Sequence, residues 1–263
     1  MANDQQHRME DPALRLGVST CLLGKEVRFD GGHKLDRFIV HTLGPHVDFV
    51  PVCPESECGL GITRETMHLA GDPKAPRLVT TKTGQDKTDQ MQAWARPRLK
   101  DLEKEDLCGF IFKCDSPSSG MIRVKVYNDK GMPELTGRGL FAEQMIRDHP
   151  LLPVEEEGRL HDARLRENFI DRVFAYSRWT DMLRENASPG GLVAFHTAHK
   201  MTFMAHSPAH YRQMGRLVAQ AGAGREELVP DEHLVAGRHE ERELVISGRE
   251  GRRSLVTVLA IYK

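Results

Sequence analysis

Three short apolar runs, Leu14–Ser19, Phe49–Val52 and Gly109–Lys113, are each followed within two residues by a cysteine: Cys21, Cys53 and Cys114. Runs of this length, bounded by Gly, Pro and charged residues, read as buried strands. Between the first two, Leu35, Phe38, Ile39 and Leu43 recur at helical spacing and stop at Gly44-Pro45, so the segment forms a strand–helix–strand unit. Pro54 cannot donate to a sheet ladder, which puts Cys53 at or just past the carboxyl end of its strand. In open α/β sheets ligands bind at that edge. A lone cysteine there is commonly a small buried hydrophobe. Three strand ends that each deliver a thiol would instead gather distant cysteines along one rim.

The pattern continues with a strand-like Arg77–Thr81, a helix over Asp86–Leu99 despite Pro97, and alternating Ile122, Val124 and Val126. From Leu140 helical spacing takes over, and Leu165, Phe169, Val173 and Tyr176 mark one long helix over Ala163–Glu185. The expected fold is α/β, a Rossmann-like open, mostly parallel sheet with flanking helices over residues 14–139. A smaller all-α domain follows over 140–263, with a linker at about 150–162. A chain of 263 residues can bury cores of that number and size. Leu192, Phe195, His196, His199, Phe203 and His206 fall within one helical arc, read as packing at a helix seam, with a zinc site or a nucleotide-contacting face as the alternatives. Residues 1–13 read as frayed, and Ser254–Lys263 as a strand after a charged segment containing Pro230.

With 37 basic and 38 acidic residues, no overall charge advertises nucleic acid, and no apolar run reaches membrane-spanning length. The polar start, MANDQQHRMEDP, lacks the apolar core of a signal peptide, which reads as cytoplasmic. Five cysteines in such a chain argue for metal binding or catalysis over disulfides.

Two stretches carry the chemistry. VPVCPESECGLGITR (Val50–Arg64) adds Cys58 and the carboxylates of Glu55 and Glu57 to Cys53. CGFIFKCDSPSSGMIRVKVY (Cys108–Tyr127) breaks a strand at a loop of hydroxyls and amides, either an anion cradle or an ordinary serine-proline turn. Arg28 and Asp30 flank Phe29 ahead of Gly31-Gly32, where they either line a substrate or face solvent.

STCLLGKEVRFDGGHK at 19–34, PVCPESECGLGITRE at 51–65 and GFIFKCDSPSSG at 109–120 together resemble the thiouracil desulfidase family. LLPVEEEGRLHD, RENFIDRVFAY and FHTAHKMTFMAH, within 140–222, resemble the YbgA-like helical domain often fused behind it. The resemblance implies a 4Fe–4S cluster held by three cysteines, with a free iron that takes sulfur from a thiolated uracil as base, nucleoside or nucleotide. Cys21 and Cys53 match two ligand positions. At the third, the family's Ser-Pro-Ser-Cys-Gly is here Ser-Pro-Ser-Ser-Gly, with Ser119 in the cysteine's place. Cys114 is then the first candidate for the third ligand, Cys58 the alternative, and loss of the cluster the remaining possibility. Water attacking the ring carbon needs a base, for which Glu55 is best placed, and Ser116 would hydrogen-bond the developing charge. Arg28, Asp30, Ser118 and Ser119 are the expected substrate contacts. The expected partner is a thiopyrimidine, with tRNA or its degradation products as its source. Two rival readings stand beside this one: a cluster-free persulfide sulfurtransferase using Cys53 or Cys114, and a non-enzymatic RNA- or protein-binding module.

Overall fold

The computed structural model describes residues 14–223. In chain order it runs β1 (Leu14–Ser19), a π-helical segment at Phe38–Leu43, β2 (Val47–Val52), β3 (Met67–Ala70), β4 (Arg77–Thr80), α1 (Thr88–Glu103) and β5 (Gly109–Phe112). There follow β6 (Val124–Tyr127), β7 (Pro133–Gly137), α2 (Leu140–Asp148), β8 (Val154–Glu156) and four helices, α3 (Ala163–Glu185), α4 (Pro189–Ala198), α5 (Lys200–His206) and α6 (Pro208–Ala223). The readings of residues 1–13 and of the last strand lie outside the described residues.

The expected parallel sheet is present as four strands in the order β2-β1-β5-β8, every pair parallel. Pro51 sits inside β2, where its missing N–H is tolerated because β2 is an edge strand. The chain leaves β1 for β2 on one side and later fills β5 on the other, so strand order reverses about β1. In open α/β sheets the crevice outside such a reversal binds ligands. A second sheet, β4-β3-β6-β7, has antiparallel outer pairs around a parallel β3–β6 pair. Of its strands the sequence showed β4, as a strand-like run, and β6, by alternation, whereas β3, β7 and the pairing of all four apart from the first sheet were not visible.

One face of the parallel sheet buries Phe110 and Phe112 against Phe141 of α2, with ring centroids 5.9 and 6.4 Å away. The other buries Leu16, Val18 and Ile111 against Phe169 and Val173 of α3. Farther along α3, Ala175 and Trp179 enter a third cluster with Leu192, Phe195, Phe203 and Met214. One helix thus serves both the sheet and the helical region. The stretch read as a linker is part of this framework: Val154–Glu156 pairs with Phe110–Phe112 as the fourth strand. Asp162 caps α3 by accepting from the N–H groups of Arg164 and Leu165.

The histidine arc divides: His196 and His199 pack at a helix seam, as read, and His206 does not. The helix breaks at His199, between α4 and α5, and His206 is exposed, whereas His196 and His199 are buried. His196 stacks on Tyr211 with ring centroids 5.2 Å apart, and His199 donates from Nδ1 to the Phe195 carbonyl over 2.9 Å. Among the described residues the Nε2 atoms of both are buried without a hydrogen-bond partner. Burial holds both below the ordinary histidine pKa, and Lys200 near His196 and Arg178 near His199 act in the same direction.

Because their folded pKa lies below the unfolded value, both histidines bind protons more readily in the unfolded chain, and stability drops as pH falls through about 6.5. In urea unfolding at about pH 7.5 and 5.5, the double variant His196→Gln/His199→Gln should lose less stability on acidification than the natural chain. Equal losses would show that these imidazoles are not the acid-sensitive groups.

Candidate functional site

A cavity of about 410 Å³ opens at the carboxyl ends of β1, β2 and β5. Its wall includes Cys21, Cys53, Glu55, Cys114, Ser116 and Ser119, so residues from three separate stretches of sequence meet there. Cys21 lies in the 3-10 turn after β1, and its carbonyl accepts from Lys34 N–H at 2.9 Å, which folds the Arg28–Lys34 loop back over the cavity. Gly24, at φ +83, makes that reversal in a conformation few side chains adopt. Cys53 follows β2 directly. Its N–H donates to Glu57 Oε1 at 2.8 Å, and its thiol lies 3.3 Å from Ser56 Oγ and 3.6 Å from Glu55 Oε2.

Glu55 crosses to the Ser-Pro-Ser-Ser-Gly loop. Its Oε1 accepts from Ser118 Oγ and, at 3.3 Å, from Ser116 Oγ, while Arg64 Nη2 lies 3.9 Å from Oε2. The loop holds itself together: Ser116 Oγ accepts the N–H groups of Ser118 and Ser119, and the Ser116 carbonyl accepts that of Gly120. These amides are therefore spent inside the turn and form no anion cradle. Gly139 passes beneath it so closely that a Cβ would stand 2.4 Å from the Ser118 carbonyl carbon. Glu156 anchors the loop's far end by accepting from Met121 N–H at 2.6 Å.

At the end of β5, Lys113 pairs with Glu157, whose other oxygen accepts Cys114 N–H at 2.7 Å. The Cys114 thiol lies 3.1 Å from both Glu157 Oε1 and Lys113 Nζ. Burial opposes the charge on Lys113, but its bonds to Glu157 and Cys114 outweigh this and raise its pKa. Burial, followed by the Glu55 charge, pushes the Cys21 thiol up to about 11 and raises that of Cys53. Cys58 and Cys114 are each pushed up to about 11, in both cases chiefly by burial.

The residues expected from sequence divide clearly. Cys21, Cys53, Glu55, Arg28, Cys114, Ser116 and Ser119 line the cavity. Ser118 is wholly buried with its hydroxyl on Glu55, so it supports that carboxylate from behind and cannot touch substrate. Asp30 stands outside the wall, turned to Gly32 N–H at 3.1 Å and to Arg28 at 3.5 Å. Cys58 packs among Leu69, Leu78 and Met91, its thiol 3.4 Å from the Glu55 carbonyl. Glu57 is a structural carboxylate, bonded to Cys53 N–H and to Arg98 at 3.0 Å. Three site residues escaped the sequence reading. Arg64 closes the Val50–Arg64 stretch and donates to the Val27 carbonyl at 3.1 Å, Lys113 precedes Cys114, and Glu157 comes from the stretch taken as a linker. Lys113 follows a strand the sequence announces, but Glu157 follows one of three residues that it does not, so no local signal paired them.

Among the described residues, no group of three or more His, Cys, Asp or Glu side chains could hold a single metal ion. A cubane cluster spreads its ligands around its own bulk, so thiols set at separate points of one cavity wall suit it where they would not suit one ion. The donors on this wall fit such a group in kind: thiols of Cys21 and Cys53, with Ser119 and Cys114 beside them.

Fold and site together define an α/β protein with a thiol-bearing cleft at the switch point of a parallel sheet. The 2-thiouracil desulfurase profile matches residues 16–157, and the chain belongs to that family. A solved structure of the 4Fe–4S-dependent thiouracil desulfidase TudS is 26% identical, aligning over 58% of this chain and 97% of its own with a TM-score of 0.46. No curated protein matches the chain. The family match ends before α3, so the YbgA-like likeness stays an expectation from sequence. Among the described residues, no helix is long and apolar enough to cross a membrane.

With pKa values raised, the thiols are protonated at neutral pH, and the thiolate is the form that alkylates. Metal-free protein should therefore react slowly with iodoacetamide near pH 7.5, and Cys21 and Cys114 should modify faster only as the pH approaches 11. Rapid labelling of Cys114 at neutral pH, read by peptide mass spectrometry, would mean that Lys113 dominates over burial and Glu157.

Proposed function

We propose that this protein removes sulfur from thiolated uracil, as base, nucleoside or nucleotide, and releases uracil and hydrosulfide. In this reading a 4Fe–4S cluster is held in the strand-end cavity by Cys21, Cys53 and a third protein donor. Bound there, the cluster supplies a thiophilic, Lewis-acidic iron for the exocyclic sulfur. The reaction breaks the carbon–sulfur bond and forms a carbon–oxygen bond from water, with no net oxidation.

The observation that carries the reading is the fixed carboxylate of Glu55 on the wall that bears the thiols of Cys21 and Cys53. Water adding to the ring carbon must lose a proton, and Glu55 is the carboxylate placed to accept it. Ser116 and Ser118 hold it from one side and Arg64 approaches from the other, so its orientation is set before substrate arrives. Such preorganisation removes a cost that a mobile side chain would meet during reaction. Arg28, part of the same wall, is the proposed contact for the substrate's polar edge.

The persulfide alternative lacks this economy. Joining the thione sulfur to Cys53 or Cys114 makes a sulfur–sulfur bond, which is an oxidation and requires a two-electron acceptor.

Glu55→Gln keeps the shape but cannot take a proton from water at neutral pH. Anaerobically prepared enzyme should contain about four irons per chain, and Glu55→Gln should retain them while uracil release from 2- and 4-thiouracil falls by about a hundredfold or more. Unchanged turnover, or iron lost in step with rate, would make Glu55 structural.

A further inference from the structure

The candidate donors around the cavity are engaged in different ways. Cys21 and Cys53 line it from the ends of β1 and β2, while Cys58 is packed away from it against Leu69, Leu78 and Met91. Cys114 lines it too, but its thiol is 3.1 Å from the buried Glu157 carboxylate, and its N–H is bonded to the same group. That thiol also lies 3.7 Å from where a Cβ on Gly158 would stand, which puts it on the β8 side of the site. Turning it toward a cluster would break the thiol's 3.1 Å contacts with Glu157 and Lys113.

Ser119 meets no such obstacle. It is 3% exposed and lines the cavity. Its N–H donates to Ser116 Oγ at 3.1 Å, the next residue's N–H donates to the Ser116 carbonyl at 2.8 Å, and Gly139 blocks any sinking of the loop. The backbone that carries this hydroxyl is thus held in place independently of any ligand.

Resting on the cluster reading above, we propose that the third protein ligand of the cluster is the Ser119 hydroxyl, bound as an alkoxide, and that Cys114 is held back from the iron by Glu157 and Lys113. Ligation forms an iron–oxygen bond and breaks the Ser119 O–H bond, and the proton leaves to water in the open cavity. No electron changes hands. Alkoxide is a harder donor than thiolate and favours ferric iron, so this ligand set lowers the cluster's reduction potential relative to an all-thiolate one.

The test compares full-length natural protein with Ser119→Ala, Ser119→Cys and Cys114→Ala, all reconstituted anaerobically with iron and sulfide. Iron and acid-labile sulfide per chain are measured, along with chelator competition and a spectroscopic redox titration. Ser119→Ala should hold its iron at least about tenfold less tightly, since even outer-shell changes weaken metal sites by that factor. Cys114→Ala should keep its iron. Ser119→Cys should keep it as well, with a potential shifted upward, a change that a merely structural serine would not produce.

Full iron in Ser119→Ala, or an unchanged potential in Ser119→Cys, overturns the assignment. Loss of iron in Cys114→Ala alone transfers the role to Cys114 and overturns it too. Natural protein that takes up no iron overturns the cluster reading itself, whereas the other outcomes touch only the identity of the third ligand.

Discussion

The site depends on β1 pairing in parallel with β2 on one side and β5 on the other. The registers Ser19↔Val52 and Val18↔Ile111 bring three strands to the same edge within a residue or two. Every thiol near the cavity except Cys58 follows from that alignment. A shift of one residue in either pair would turn alternate side chains to the opposite face and bury the wrong groups in a core that contains Phe110 and Phe112 at 1% exposure or less. The packing that fixes the fold on one face and α3 on the other therefore also sets the spacing between Cys21, Cys53 and the loop after β5.

Carboxylates do the fine positioning. Glu57 ties the turn after Cys53 to α1 through Arg98, Glu55 ties that turn to the serine loop, and Glu156 and Glu157 tie both ends of the loop to β8. Burying so much acidity requires partners, which Lys113, Arg64 and Arg159 supply. Removing one partner of a buried pair such as Lys113–Glu157 costs roughly 3–5 kcal/mol, because the other charge is left uncompensated. The arrangement is rigid for that reason, and rigidity is what a cluster with an open iron and a nearby base both need.

Much of this was legible in the chain itself. Leu14–Ser19 and Ala163–Glu185 form the elements their periodicity indicated, and Cys21, Cys53 and Glu55 reach one wall because strand ends and a Pro-stopped strand are local signals. What stayed hidden depended on distant partners. Val154–Glu156 is too short to announce itself as a strand, yet it completes the sheet and carries the anchors of the serine loop. Ser118 reads like its neighbours, but it faces inward because Gly139 packs against its carbonyl. His206 shares the spacing of His196 and His199, but the helix breaks at His199 and sends it to the surface.

The central claim is that iron resides where β1, β2 and β5 end. Anomalous diffraction at the iron absorption edge, on crystals of anaerobically purified protein, tests it directly. The account predicts a compact anomalous peak inside the cavity, bordered by Cys21, Cys53 and Ser119 and facing Glu55. A peak elsewhere in the molecule, or none in protein whose iron content has been established in solution, would contradict it.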